Sequence, residues 1–455
     1  MRSFKKIIFL AIVFIVTVAF NFQDNPASNW TQQFLPPLGN QQINDMTFID
    51  SLTGFIVTSI NSNPDAATIL KTTNGGDNWN TVFSQTPARF GRVQFVTDSI
   101  GFVSGKGGPS GFPVLYKTTN KGNSWILIDF DLGNIYWDGM WALNKDTIWL
   151  SDKNSFNGGI YRTTNGGLNW TQQLSAGIYN PTHIYFYNKS LGFAANSLGG
   201  KLYRTTNAGV NWIQVLNEGF RDMKFVDELT GWKSLPASDS SMKKTTDGGL
   251  NWVKQKVPYG GFPNVLSDGM LRFSVINKDT LWGVGGNIYF SAINKGRGIL
   301  YHTTNGGTNW TYQIPDTSIN IAAYYHINSI NKNNIWAYTF SPNMGIHTTN
   351  GGDTTFISSI RQLSNEIPNS FKLNQNYPNP FNPSTKINYD IKNTNYVSLK
   401  IFDINGREIS TLVNQKQTGG TYEYTFDGSL LSSGIYFYTL QTDKFTDTKK
   451  MMLVK

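Results

Sequence analysis

Six ionisable residues recur at one position of a repeated strand pattern. Asp45, Arg92, His183, Asp222, Arg272 and His326 each stand immediately before a short stretch such as MTFID or VQFVT, and Gly139 fills a seventh slot. Two residues further on, and therefore on the same face of a strand, stand Thr47, Gln94, Trp141, Tyr185, Lys224, Ser274 and Asn328. Charged residues make up only 15% of the chain, so six ionisable groups in one column are a concentration. Mixed charges beside a Trp and a Tyr suit recognition of a sugar or a peptide loop. The candidate binding residues are accordingly Asp45, Arg92, Trp141, His183, Tyr185, Asp222, Arg272 and His326. The same column also reads as strand ends that are solvated or paired with one another.

Catalysis makes stricter demands. Glycoside hydrolysis needs two carboxylates across a cleft. Asp45, Asp138, Asp222 and Asp268 all fall near starts of such strands, and nothing selects a pair. A sialidase-type site would need an arginine triad with a Tyr-Glu pair. Arg92, Arg221 and Arg272 are present, but Glu218 and Glu228 have no evident tyrosine partner and no F/Y-R-I-P element occurs. The four histidines are scattered and no DxDxDG loop is found, so neither metal nor cofactor is expected. His302 and His347 read as surface positions. With no cysteine, thiolate chemistry and disulfides are excluded. A net charge of +9 spread over 455 residues, without a basic run, argues against nucleic acid. The reading is of a binding protein rather than an enzyme. A polysaccharide hydrolase and a structural surface protein are the alternatives.

The strands that must position these residues come from a repeat. KTTNGGDNW (71–79), KTTNKGNSW (117–125), RTTNGGLNW (162–170), RTTNAGVNW (204–212), KTTDGGLNW (244–252) and HTTNGGTNW (302–310) are copies of one turn, and HTTNGGDTTF (347–356) is a decayed seventh. Their tryptophans, Trp79, Trp125, Trp170, Trp212, Trp252 and Trp310, fall 46, 45, 42, 40 and 58 residues apart. A period in the forties with aromatic, glycine-rich composition indicates propeller blades. Each unit reads strand, polar turn, strand, strand, Asn-Gly turn, strand. Asn74, Asn120, Asn165, Asn207, Asp247, Asn305 and Asn350 sit where a side chain can bond its own backbone. The glycines that follow accept positive φ, and the tryptophans supply large apolar area between blades. Asn29-Trp30-Thr31-Gln32-Gln33 repeats 169–173 without a turn before it, while Thr355 stands in the last tryptophan slot. A strand at 29–34 is therefore expected to close the ring with the last blade. The fold class is all-β, a seven-bladed β-propeller over 29–360 with a C-terminal β-sandwich.

The ends carry other signals. Arg2, Lys5 and Lys6 precede an apolar run from Ile7 to Phe20, short for a membrane-spanning helix and suited to a signal peptide over about 1–22, with an uncleaved anchor as the alternative. Cleavage is placed between Ala19 and Ser28. No other segment suggests a transmembrane anchor. After a linker at 361–370, residues 371–455 alternate and turn like a small antiparallel sandwich.

Thr245, Asp247, Gly249 and Trp252 resemble the Asp-box (BNR) repeat, S/T-x-D-x-G-x-T-W, although the other copies carry Asn in place of Asp. The F-x-D-x-x-x-G-F/W strand before each box resembles the photosystem II assembly-factor subgroup of these propellers. The resemblance covers about 29–360. It implies a fold more than a function, since Asp-box propellers include sialidases, xyloglucanase-type glycosidases, sorting receptors and assembly factors. Leu373, Gln375 to Pro383, Asp403, Gly406, Arg407, Gly434, Tyr436 and Lys449 to Lys455 resemble the type A C-terminal sorting domain of the type IX secretion system. That resemblance implies a Gram-negative source, recognition by the export machinery, and a cargo released or attached at the cell surface; the protein is separately expected to be a monomer. The cargo's ligand would be a carbohydrate or a surface protein.

Overall fold

A computed structural model describes residues 29–454 apart from 61–65, 108–111, 129–136, 153–158, 174–180, 197–199, 236–241, 256, 259–268, 291–294, 316–318, 342–343, 353–359, 365, 383 and 429–430. The expected signal peptide at 1–22 lies outside the described residues. Among those described, regular structure consists of strands in nine four-stranded antiparallel sheets.

Seven sheets are propeller blades, and each takes its strands in chain order from the axis outward. Blade one is Gln42–Phe48, Gly54–Ile60, Ala66–Thr72 and Asn80–Gln85. Blade seven differs. Its strands His326–Ser329, Ile335–Tyr338 and Met344–Thr348 are completed on the outside by Thr31–Phe34 from the start of the ring. The expected closure is thus formed by four antiparallel residue pairs, Thr31 with His347 through Phe34 with Met344.

Each Thr-Thr-Asn-Gly-Gly turn is a hydrogen-bonded loop. In blade one the Thr72 hydroxyl donates to Asn74 Oδ1 (2.9 Å) and accepts from the Gly76 N–H (2.9 Å), while Asn74 Oδ1 accepts from the Asn78 N–H (3.0 Å). The same pattern recurs around Asn120, Asn165, Asn207, Asp247 and Asn305. Around Asn350 the Thr348 hydroxyl likewise donates to Asn350 Oδ1 (2.8 Å) and accepts from the Gly352 N–H (2.8 Å). The box tryptophans meet aromatic rings edge-on. Trp79 packs against Phe48 of its own blade and Tyr338 of blade seven, Trp125 against Phe55 of blade one, and Trp252 against Phe193 of blade four. Trp30 occupies the slot that Thr355 leaves without an aromatic ring. It lies edge-on to Trp282 of blade six at 6.1 Å and donates to Gln313 Oε1 at 2.9 Å.

The residue before each Thr-Thr lies across the ring of the second strand. Lys71 stands over Phe55, Lys117 over Phe102, Arg162 over Trp149 and Lys244 over Trp232, as cations favour. His347 is buried and stacked on Trp336 at 4.4 Å, and His302 lies over Trp282 at 4.2 Å. The two histidines expected at the surface are therefore packed against the tryptophan opposite them in their own blade, because the slot selects a flat or cationic group to cover an aromatic face.

The remaining two sheets share one core containing Ile387, Tyr389, Leu399, Ile401, Tyr438 and Met451. One runs in the order Ile360–Ser364, Gly420–Asp427, Ser384–Ile391, Lys372–Leu373. The other runs Glu408–Gln417, Asn395–Phe402, Gly434–Gln441, Thr446–Leu453. Part of the stretch read as a linker thus pairs as an edge strand, Arg361 opposite Glu423 and Gln362 opposite Tyr422, and Ile360, read as the end of the propeller, belongs to the same strand.

Two outcomes follow. Ala208 holds φ 62° where most boxes carry glycine. That conformation costs an alanine roughly 1–2 kcal/mol, against roughly 0.5–1 kcal/mol for glycine's extra unfolded freedom. Ala208→Gly should therefore raise stability by about 0.5–1 kcal/mol in urea unfolding, and a lowered midpoint would contradict this account of the box. Trp30→Ala should cost about 3–5 kcal/mol in the same assay, as for a buried core tryptophan. A loss below about 1 kcal/mol would mean that Trp30 is not the seventh box ring.

Candidate functional site

All seven inner strands line one axial channel of about 210 Å³. The expected column faces it: Asp45, Arg92, Gly139, His183, Asp222, Arg272 and His326 come together from seven blades. A second, wider cavity of about 430 Å³ opens beyond them and adds Asn44, Arg89, Lys106, Tyr325 and Phe340. Arg92, His183, Arg221, Arg272 and His326 belong to both cavities and form the neck between them. Arg221 was missed as a member of this ring. It directly precedes Asp222, so the inner-strand register extended by one residue would have found it.

Within the neck, Arg272 reaches past blade seven into blade one. Its Nη1 donates to Asp45 Oδ1 at 2.9 Å and its Nη2 to the Asn44 carbonyl at 3.2 Å. Arg92 approaches the same Asp45 oxygen at 4.0 Å. His326 is buried, with Nε2 3.0 Å from the Ile43 carbonyl. Its Nδ1 and Arg221 Nε have no partner among the described residues. Burial, and then the adjacent Arg272, Arg221 and Arg92, hold His326 well below its usual pKa. Burial and the same three arginines push His183 down to about 3. Burial and neighbouring guanidinium groups lower Arg221 and Arg272 as well. Positive charge is crowded here.

The carboxylates are already engaged. Asp45 Oδ2 accepts from the Val93 N–H of blade two (3.2 Å). Asp222 accepts from Met223 N–H (2.9 Å) and from the Phe273 N–H of blade six (3.1 Å). Neither is placed as a free acid or base. Glu218 bridges Lys233 (2.8 Å) and Lys243 (2.5 Å), and Glu228 accepts from Asn188 (2.8 Å). Asp138 lies on the strand Trp137–Ala142, with its side chain outside the described residues, as is Asp268.

The second column does different work from the one expected of it. Gln94 bonds both the N–H and the carbonyl of Ala142 (2.9 and 2.8 Å). The Tyr185 hydroxyl accepts from the Phe225 N–H (2.9 Å), Ser274 Oγ from the Ser329 N–H (3.1 Å), and Asn328 Oδ1 from the Phe48 N–H (3.3 Å). Each bond joins one inner strand to the next. Between blades three and four, Trp141 meets Tyr185 ring to ring at 4.5 Å. Trp141 and Tyr185, read as ligand contacts, therefore staple neighbouring blades. Their faces line the channel, but the tyrosine hydroxyl is occupied by backbone.

A ring of seven blades with a polar axial neck, joined to a sandwich of two sheets, defines a propeller protein with a separate C-terminal module. Residues 375–455 match the family described as secretion system C-terminal sorting domain, and residues 23–214 match the family described as photosynthesis system II assembly factor YCF48. The chain joins a YCF48-like propeller to a type IX sorting domain, which directs it out of a Gram-negative cell to the outer surface or the medium. Among solved structures, YCF48 bound to D1 peptide is similar at 21% identity and a TM-score of 0.53, over 71% of this chain and 98% of that one. YCF48 from Cyanidioschyzon merolae is similar at 17% identity and a TM-score of 0.50, over 70% and 98%. At these identities the likeness is one of fold. No curated protein matches the sequence.

The histidines give the propeller a pH signature. His183 is held near 3, His302 and His347 near 4, and His326 well below 6.5. A base whose pKa falls on folding stays neutral in the fold and takes up a proton when unfolded. Stability is then full above pH 6.5 and declines as pH drops below it, by about 1.4 kcal/mol per pH unit for a fully buried histidine such as His326. Proton NMR should show no histidine titrating between pH 5 and 8, with a thermal midpoint that falls from pH 7 to pH 5. A histidine resonance titrating near pH 6.5 would contradict the packing described.

Proposed function

We propose that the propeller is an exported binding module whose cationic channel mouth takes an anionic ligand, either an acidic surface polysaccharide or an acidic protein segment. The observation that carries this reading is the convergence of Arg92, Arg221 and Arg272 on one neck, where the only carboxylates that face them are Asp45 and Asp222 among the described residues. Both carboxylates already accept backbone hydrogen bonds. A carboxylate or sulfate group entering from the wider cavity would relieve the crowding, and guanidinium groups suit such planar acceptors. The solved YCF48 structure with a D1 peptide offers a propeller of this fold that holds a peptide. Binding is favoured over hydrolysis because both aspartates that line the channel accept hydrogen bonds from backbone N–H groups, and Asp45 is also paired with Arg272.

The test is a calorimetric panel of uronate-containing, sulfated and neutral polysaccharides and an acidic peptide, with chromatography of the soluble products. Binding of an acidic member without cleavage is expected. Arg92→Gln with Arg221→Gln should weaken it at least about ten-fold while leaving Asp45–Arg272 intact. Equal affinity for neutral polymers, or release of oligosaccharides, would overturn the reading.

A further inference from the structure

The sorting domain contains one turn whose chemistry its own fold does not use. In Gln375-Asn376-Tyr377-Pro378-Asn379-Pro380-Phe381 the two aromatic residues go opposite ways. Phe381 is buried in the sandwich core, edge-on to Phe426 at 6.0 Å, whereas Tyr377 is 80% exposed. The Tyr377 hydroxyl has no partner among the described residues.

Everything around that side chain is fixed. The Tyr377 N–H donates to the Lys386 carbonyl and the Lys386 N–H to the Tyr377 carbonyl, both at 2.9 Å. Asn376 is buried. Its Nδ2 donates to Thr385 Oγ1 (2.9 Å) and to the Pro378 carbonyl (3.1 Å), and its N–H donates to the Tyr438 hydroxyl (2.7 Å). Two residues before Tyr377, Gln375 donates to the Lys450 carbonyl (2.7 Å). Two residues after it, Asn379 donates to the same carbonyl (3.3 Å) and accepts from the Met452 N–H (2.9 Å). The Phe381 N–H donates to the Met452 carbonyl (2.9 Å) and its carbonyl accepts from the Val454 N–H (3.0 Å). The turn therefore covers the outer edge of the final strand and holds an exposed ring beside it.

An aromatic side chain that is exposed in the free protein and held rigidly loses little entropy on being buried by a partner, which is the profile of an interface anchor. Lys450 and Met452 are exposed on the strand alongside, and Lys386, exposed and ion-paired with Glu423 at 3.1 Å, stands opposite Tyr377, so the patch is aromatic, apolar and cationic. We propose that the Tyr377 ring, presented over the Lys450–Val454 strand edge, is the anchor by which the receptor of the export machinery takes hold of the sorting domain. The partner surface is an apolar pocket with an acidic rim. The proposal rests on the export assignment of residues 375–455.

The experiment uses the full chain expressed in a host with type IX secretion. Tyr377→Ala should lower the secreted fraction at least about ten-fold, as for loss of an interface anchor, and leave folded protein in the periplasm. Tyr377→Phe should export within about two-fold of wild type, since the ring supplies the anchor. Tyr396→Ala, at another exposed tyrosine of the same domain (52%), should export normally. The purified Tyr377→Ala protein should keep the wild-type thermal midpoint. Normal secretion of Tyr377→Ala, a loss of export equally severe in Tyr377→Phe, or a lowered midpoint showing a structural role would each overturn the proposal. Failure of the wild-type chain to be secreted would instead strike the export assignment, and the proposal with it.

Discussion

The ring exists because its last sheet borrows a strand from its beginning. Blade seven supplies three strands of its own, and its outermost strand, Thr31–Phe34, precedes blade one in the chain. Without that loan an edge would stand open and the slot between blades six and seven would lack its ring. With it, Trp30 meets Trp282 and bonds Gln313, while Gln33 donates to the Gly75 carbonyl of blade one (2.8 Å) and accepts from the Tyr338 hydroxyl (2.6 Å). A single five-residue segment thus touches blades six, seven and one.

Closure on the outside is matched by staples on the inside. Side chains of one inner strand accept hydrogen bonds from the next, from Asp45 to Val93 and onward to Asn328 and Phe48. This use of polar side chains near the axis satisfies backbone groups that no sheet pairing reaches. It also explains why the carboxylates of the neck are unavailable for acid-base work. Once they are bound to backbone, the arginines opposite them keep their charge with few local partners. The cationic character of the mouth is therefore a consequence of how the ring is held together.

Much of this was legible in the residues. The box turns, the seven units, the closing strand and the axial column all follow from repetition and period-two register, because one blade's geometry is copied seven times. What repetition could not show is how a copied position is used when its residue changes. Tyr185 and Gln94 occupy a column that looks like a ligand surface, yet each reaches a neighbouring backbone that only the ring geometry brings near. His302 and His347 look like surface substitutes for lysine, but each lies on the tryptophan directly opposite it on the neighbouring strand, Trp282 and Trp336. Arg221 lies one residue outside the repeated column and reaches the neck because the inner strand's pairing continues through it, its N–H donating to the Ser234 carbonyl (2.8 Å). The strand Ile360–Ser364 pairs with Gly420–Asp427, about sixty residues on in the chain, which local pattern does not reveal.

The central claim is that the arginine-lined neck is where the propeller meets its ligand. Side-chain NMR of the arginine Nε–Hε groups during titration with an oligogalacturonate measures this directly. The account predicts saturable shifts at Arg92, Arg221 and Arg272, with little change at Arg162 and Arg204 on the outer part of the blades. Shifts confined to the outer arginines, with the three at the neck unmoved, would contradict it.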